Sequence, residues 1–382
     1  MPAIARLGYR PFFLLGALWA AIAITVWLHA LAGLPAAPSH LDPLAWHVHE
    51  LLYGYLPAIV AGFLLTAVPN WTERSPLTGT PLLLLAALWL AGRVAIAYST
   101  AIGPLAAAIV DCAFVFALMA IVAHAIVASR DWEDAGVVAL LGVLAAGNVI
   151  FHVESSSSGF GARIGIGAGV ALITLIGGRI VPAFTRNWLR ARGVPGRLPS
   201  EFDRFDGFAI GVALAALALW IARPHAAATA LACAAAALLH TARLARWAGE
   251  RTGAEVLVLV LHVGYAFVPL GFASVAIAHV APAMIAPSAA LHAWTAGAIG
   301  VMTLAVMTRA TLGHSGRDLH AGAATQFIYA AIVFAALSRI ASGVAGAPTW
   351  LLHASGGAWI AAFVGFVAAY GRMLLTPRQD TP

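Results

Sequence analysis

The chain has 382 residues, of which 62% are hydrophobic and only 9% charged, with a mean hydropathy of +0.91. Soluble domains carry roughly a quarter charged residues, so this composition excludes a soluble enzyme and marks a polytopic membrane protein. The formal charge of +6 is carried by arginines in short connections between apolar runs, a distribution that excludes a nucleic-acid face and assigns the charge to orientation in the bilayer.

Counted at about 20 residues per span, the apolar segments predict an all-α protein of twelve transmembrane helices. They fall near 11–34, 47–69, 80–98, 103–129, 134–153, 162–184, 206–222, 225–247, 253–278, 288–308, 321–344 and 349–374. The apolar run after the basic start is too long for a signal-peptide core and reads as a retained first helix. Arg223-Pro224-His225 is the only break between the seventh and eighth helices.

The arginines lie on alternate connections. Arg6 and Arg10, Arg74, Arg130, the series Arg186 to Arg204, then Arg243, Arg246 and Arg251, then Arg309 and Arg317, and finally Arg372 and Arg378 define one side. That side is cytoplasmic by the positive-inside rule, which puts both termini there. Trp46, Trp294 and Trp350 then fall near the outer boundary, and Trp71, Trp132 and Trp188 near the inner one, as aromatic belts. Cys112 and Cys233 sit inside apolar runs and read as small packing residues. Helices two, six and ten end in related stretches, TAVPNW (Thr66 to Trp71), RIVPAFTRNW (Arg179 to Trp188) and LAVMTR (Leu304 to Arg309). The echo points to three parallel four-helix units.

Ionisable groups inside spans are functional candidates by default. The stretch WHVHE places His47, His49 and Glu50 at the mouth of helix two. If the helix already runs through both histidines, positions two apart point about 200° from each other and serve two sites. If it starts later, both converge on one metal. With this topology the outer third is histidine-rich, holding His29, His40, His47, His49, His152, His225, His279, His292 and His353, whereas His262 lies near mid-membrane.

Imidazole suits iron, copper and zinc, and a haem inside a helical bundle takes an axial histidine from one helix or from each of two facing helices. His49 and His292 each sit about a turn below the outer boundary and are placed to bracket one iron. The candidate metal ligands are His47, His49, His152, His292, His262 and His353. Arg93 and Arg339, inside the membrane, are candidates to hold haem propionates. For Arg93 a plain ion pair with Asp111, at comparable depth, is the alternative. Asn148 is four residues from His152 and shares its helix face, so it is a candidate to orient it. No CxxCH attachment motif is present, so any haem is a non-covalent b-type.

The stretches LGYRPFFLLG (Leu7 to Gly16), HVHE (His47 to Glu50), GFLLTAVPNWT (Gly62 to Thr72), GGRIVPAFTRN (Gly177 to Asn187) and GAIGVMTLAVMTRATLGHSGR (Gly297 to Arg317) resemble the NnrS family. That resemblance implies a multi-pass protein of the bacterial inner membrane, containing haem and copper, that protects against nitrosative stress or acts during denitrification. A looser similarity is to the catalytic subunit of haem-copper oxidases and nitric oxide reductases, with twelve helices in three arcs of four. Here the H-x-H pair is on helix two instead of ten, and helices six and seven have no histidine, so an oxidase-type dinuclear reaction is not implied.

The function expected is binding and removal of nitric oxide near the outer side, with electrons from a donor that the sequence does not name. The rivals are a membrane transporter or metal/haem carrier, for which Pro57, Pro69 and Pro182 would interrupt helices, and a non-catalytic nitric oxide sensor.

Overall fold

The computed structural model describes residues 1–34, 37–130, 132–193 and 195–377. Arg378, one of the orienting arginines, lies outside these residues. Twelve helices have the length and composition to cross a membrane: α1 (Tyr9–Leu31), α2 (Pro43–Trp71), α3 (Thr80–Ala97), α4 (Pro104–Ser129), α5 (Ala135–Glu154), α6 (Phe160–Ala191), α7 (Arg204–Ala222), α8 (Ala227–Arg251), α9 (Val256–Val280), α10 (Pro287–His314), α11 (Ala323–Ala341) and α12 (Trp350–Leu375). Among the described residues there is no β-strand, only one isolated bridge between Ile285 and Val344. The protein is therefore all-α, as the hydropathy pattern predicts.

Helix starts follow local chemistry. In α2, Asp42 Oδ1 accepts the N–H of Leu44 at 2.9 Å and of Ala45 at 3.0 Å, and Pro43 stands where no N–H is needed. Asp203 and Asp206 form a capping box at the start of α7. Glu255 caps α9 through the N–H of Leu257 and also accepts from Ala321 N and His320 Nδ1.

Three helices exceed their predicted lengths by five residues or more. α2, α6 and α10 run 29, 32 and 28 residues, and each contains a π-helical segment, Glu50–Tyr55, Ile173–Gly177 and Ala293–Val301 respectively. They are the same three helices that share related endings, and they are the three most buried spans. π segments re-aim side chains by widening the turn and gather at functional sites. Pro57, Pro69 and Pro182 lie within continuous α2 and α6 and do not break them.

The chain forms two compact units. Unit one comprises Met1–Ala168, Ala310–Asp318 and the chain from Phe363 onward; unit two comprises Gly169–Arg309 and Leu319–Ala362.

Within unit one, α1 packs on α2 where small residues admit large ones: Gly62 takes the ring of Phe13 and Gly16 takes Ile59. Arg10 is buried and donates through Nη1 to the carbonyls of Leu374 at 3.0 Å and Thr376 at 2.6 Å. It thus caps the last turn of α12, a structural task beyond orientation. Within unit two, Trp294 is enclosed by Trp220 and Phe272, with ring centroids 5.4 and 5.0 Å away. Trp46 and Trp294 are both buried in protein, so neither belongs to an aromatic belt; Trp132 and Trp350 are exposed, as belt residues are. Cys112 and Cys233 are buried free thiols, in keeping with packing roles.

Candidate metal centre

Because α2 begins at Pro43, regular helix runs through both histidines of the H-x-H pair, and they diverge. His47 stacks on Trp27 of α1, with ring centroids 4.7 Å apart. His49, immediately before the π segment, turns toward α4 and α5 and is fully buried. Of the two geometries the sequence allows, the divergent one is realised.

Around His49 the side chains form a closed ionic network in unit one. His49 Nδ1 lies 3.0 Å from Glu50 Oε1, and Glu50 Oε2 lies 2.6 Å from Arg93 Nη1. Arg93 Nη2 pairs with Asp111 Oδ1. Asp111 Oδ2 accepts from Asn148 Nδ2 at 2.8 Å and lies 3.0 Å from His152 Nε2 and 3.2 Å from His49 Nε2. His49 Nε2 is also 3.2 Å from Asn148 Oδ1. Among the described residues, His49, Asp111 and His152 make a set whose ligand atoms all lie within 4.8 Å of one another.

Glycine makes this convergence sterically feasible. Gly54, on the π segment, lies where a Cβ would collide with Arg93 Nη1 and crowd Glu50 Oε2, and its carbonyl accepts from Trp89 Nε1 at 2.9 Å. The rings of Tyr53 and Phe151 stand 5.6 and 5.3 Å from that of His49. They keep the centre dry, which strengthens every charge interaction inside it.

Two features set the chemistry. Glu50 and Asp111 bring two negative charges and Arg93 one positive, so the buried network is one positive charge short. A buried uncompensated charge costs several kcal/mol, and the deficit calls for a proton or a metal cation. His49 Nε2 is where that cation belongs: Nδ1 already donates to Glu50, and Nε2 faces only oxygens, Asp111 Oδ2 and the amide oxygen of Asn148, whose NH2 is spent on Asp111. His152 adds a further signal, because its Nδ1 is buried with no hydrogen-bond partner.

The other sequence candidates are placed elsewhere. In unit two, His292 Nδ1 donates to the carbonyl of Ser288 at 2.5 Å, which makes Nε2 its lone-pair nitrogen. His262 is bonded through Nε2 to Thr185 Oγ1 at 2.8 Å, and His353 is exposed on α12. Arg339 is half-buried with Nη1 3.1 Å from Ser342 Oγ. Arg93 takes the plain alternative, the ion pair with Asp111. Asn148 orients Asp111 and His49, and touches His152 only through that carboxylate.

Asp111 is the ligand candidate that sequence reasoning missed. It was legible only as a partner for Arg93, yet it is the sole carboxylate of a 26-residue span, and such a group is rarely content with one partner. His40 is the second omission. On the connection before α2, its ring and backbone N–H are held at Ser99 Oγ, and burial lowers its imidazole below the usual range.

A family model described as NnrS protein matches residues 3–378, nearly the entire chain. The chain belongs to the NnrS family. No curated protein and no solved structure matches it. This NnrS-family chain is thus a multi-pass membrane protein whose second, fourth and fifth helices bring two imidazoles and a carboxylate together.

Unit two of the NnrS-family chain holds a second buried polar cluster. Arg243 is fully buried; its Nε donates to Asp206 Oδ1 at 2.8 Å and its Nη1 to Thr174 O at 3.0 Å and Tyr265 Oη at 2.7 Å. His240 Nε2 donates to the Ala209 carbonyl at 3.2 Å, so its Nδ1 accepts the Tyr265 hydroxyl proton at 2.9 Å. The guanidinium lies where any side chain at Gly178 would collide with it.

Proposed function

We propose that this protein holds a transition-metal cation, copper, between His49, Asp111 and His152, and uses it to bind and remove nitric oxide. The observation that carries the reading is the charge deficit of the Glu50–Arg93–Asp111 network together with a His49 Nε2 that faces only oxygens. Two imidazoles and a carboxylate suit copper, iron and zinc. The NnrS resemblance favours copper and supplies the link to nitric oxide in the bacterial inner membrane. When bound, the cation supplies a Lewis-acidic, redox-active position for a small ligand.

The chain's own residues perform the rest. Glu50 accepts the Nδ1 proton of His49 and so fixes the tautomer that presents Nε2. Arg93 holds Glu50 and Asp111 in register, and Asn148 holds the second Asp111 oxygen. Tyr53 and Phe151 exclude water.

For haem b, the residues of unit one do not fit. The Nε2 direction of His49 is filled by Asp111 and Asn148, and Arg93 is spent on two carboxylates. His292, with its tautomer set by Ser288, fits an axial ligand and carries the haem reading in unit two, with Arg339 as the candidate propionate partner.

Non-haem ferrous iron is a second reading, favoured by the 2-His-1-carboxylate set itself. The transporter reading is weakened because α2 and α6 pass unbroken through Pro57, Pro69 and Pro182.

The test is metal analysis and optical spectroscopy of the purified protein in detergent, reduced, before and after nitric oxide. About one copper per chain that is lost in His49→Ala and His152→Ala, together with nitric oxide consumption, is the expected result. Iron in place of copper selects the second reading. No metal in a well-folded preparation supplied with copper and iron removes both and promotes the transporter; nitric oxide binding without consumption promotes the sensor.

A further inference from the structure

The polar cluster of unit two lies on a line of buried aromatic rings. Starting in the last turns of α8, Trp247 stands 4.5 Å from Tyr265 by ring centroids, Tyr265 6.0 Å from His240, and His240 6.2 Å from Phe272. Phe272 is 5.0 Å from Trp294, and Trp294 is 5.4 Å from Trp220, in the last turn of α7. Because α7 and α8 are joined as a hairpin, Trp247 and Trp220 sit toward opposite ends of it. Each step is within the contact range of packed aromatic rings.

Indoles and phenols are the side chains of this line that can release one electron. A phenol that loses an electron but keeps its proton becomes a buried cation, which is costly, so electron loss there needs a base in contact. Tyr265 has one. His240 Nε2 donates to the Ala209 carbonyl at 3.2 Å, which leaves Nδ1 as the lone-pair nitrogen that receives the Tyr265 hydroxyl at 2.9 Å. Arg243 Nη1 donates to the same phenolic oxygen at 2.7 Å, so that oxygen keeps a hydrogen bond after its own proton has left. Asp206 is shared by Arg243 and Arg246, so a protonated His240 has no counter-ion of its own in the cluster and returns its proton once the electron is restored.

We propose that Tyr265 is a redox-active residue, with His240 as its proton acceptor and the buried rings as its electron route. Tyr265 loses one electron through the rings to an oxidant at the Trp220 end; its O–H bond breaks and an N–H bond forms at His240 Nδ1, leaving a neutral phenoxyl radical beside an imidazolium. The oxidant belongs to the class of nitrogen oxide radicals that nitric oxide forms with dioxygen, and one electron converts it to its anion. A thiolate at the Trp247 end supplies the returning electron and becomes a thiyl radical, while the proton moves back from His240 to Tyr265. Only the choice of oxidant rests on the nitric oxide reading; the redox pair does not use the metal.

The test oxidises the full chain in detergent by flash-quench with a ruthenium tris-bipyridyl photo-oxidant and reads the trapped radical by electron spin resonance. A tyrosyl signal is expected, its line shape altered by ring-deuterated tyrosine and its rise slower in D2O, none of which requires a substitution. Tyr265→Phe, which keeps the ring, should lose it. His240→Asn, which keeps a polar partner but not the base, should slow its rise about 100-fold. Trp220→Phe combined with Trp247→Phe should suppress it while leaving the Tyr265–His240 pair intact; an unchanged yield there overturns the aromatic route. No tyrosyl radical in wild type, or one that survives in Tyr265→Phe, overturns the proposal. Nitrogen dioxide then replaces the photo-oxidant. The same radical with nitrite formed supports the assigned oxidant, whereas no radical with nitrogen dioxide overturns that assignment and leaves the redox pair standing. Failure of the copper test with this radical intact removes the metal reading alone.

Discussion

The two buried polar clusters draw on the same residue types and close differently. In unit two, Arg243 and Arg246 both pair with Asp206, and the chain from Arg243 Nη1 through the Tyr265 hydroxyl and the His240 ring ends on the Ala209 carbonyl, leaving Arg243 Nη2 as its one donor without a partner. In unit one, two carboxylates share a single guanidinium and two imidazoles converge on one carboxylate oxygen. The first arrangement has its carboxylate matched by protein guanidiniums and serves to fix helices. The second is complete only with an additional cation. A buried cluster that lacks charge balance is thus a better pointer to ligand chemistry than one that is merely polar.

The largest test of this contrast lies in unit two. Arg243→Leu leaves Asp206 to the partly exposed Arg246, 3.3 Å away, and should cost about 3 kcal/mol, read as lost thermal stability in detergent that copper does not restore. Stability within about 1 kcal/mol of wild type would mean that the unit-two cluster is not structural, and the comparison would collapse. In unit one, Asp111→Asn brings the network to charge balance and keeps most of its hydrogen bonds. Without metal this variant should match or exceed wild type in stability, yet it should retain copper about 100-fold less well. Equal destabilisation with and without copper would instead make Asp111 a structural residue like Asp206. Glu50→Gln keeps an acceptor for His49 Nδ1 but removes a negative charge, and the expected loss in copper affinity is smaller, about 10-fold.

Much of the architecture was legible in the sequence because twelve apolar runs separated by arginine-bearing connections admit few alternatives. The additional length of α2, α6 and α10 was not, since a π segment such as Glu50–Tyr55 answers to the neighbours that Gly54 and Tyr53 must accommodate. Within the candidate centre, His49 and His152 were visible as in-membrane histidines. Their convergence was hidden because it depends on Asp111, whose chain separation from His49 is 62 residues and whose pairing with Arg93 appeared sufficient. Trp46 and Trp294 were misplaced for a related reason: depth along a helix can be counted from the sequence, whereas the face turned to lipid or to protein depends on which helices pack against it.

The smallest effect concerns the connection before α7, where charge pairing meets water and not a sealed interior. Asp203 is bonded to the Arg246 guanidinium, which holds its carboxyl down to about 2. A depressed folded-state value contributes stability that is fully present above the unfolded carboxylate range of roughly 4 and is lost as the pH falls from there through about 2. Asp203→Asn retains the helix cap, because asparagine caps as well as aspartate, and so isolates the charge. The thermal stabilities of wild type and Asp203→Asn should differ slightly and by a constant amount between pH 7 and about 5, converge as the pH drops further, and draw together at neutral pH when salt is raised. The buried clusters should respond differently to salt, since neither Arg243 nor Asp111 is open to screening. A gap between wild type and Asp111→Asn in copper retention that closed with salt, as the Asp203 gap does, would place Asp111 at an aqueous surface and remove the sealed centre on which its chemistry depends.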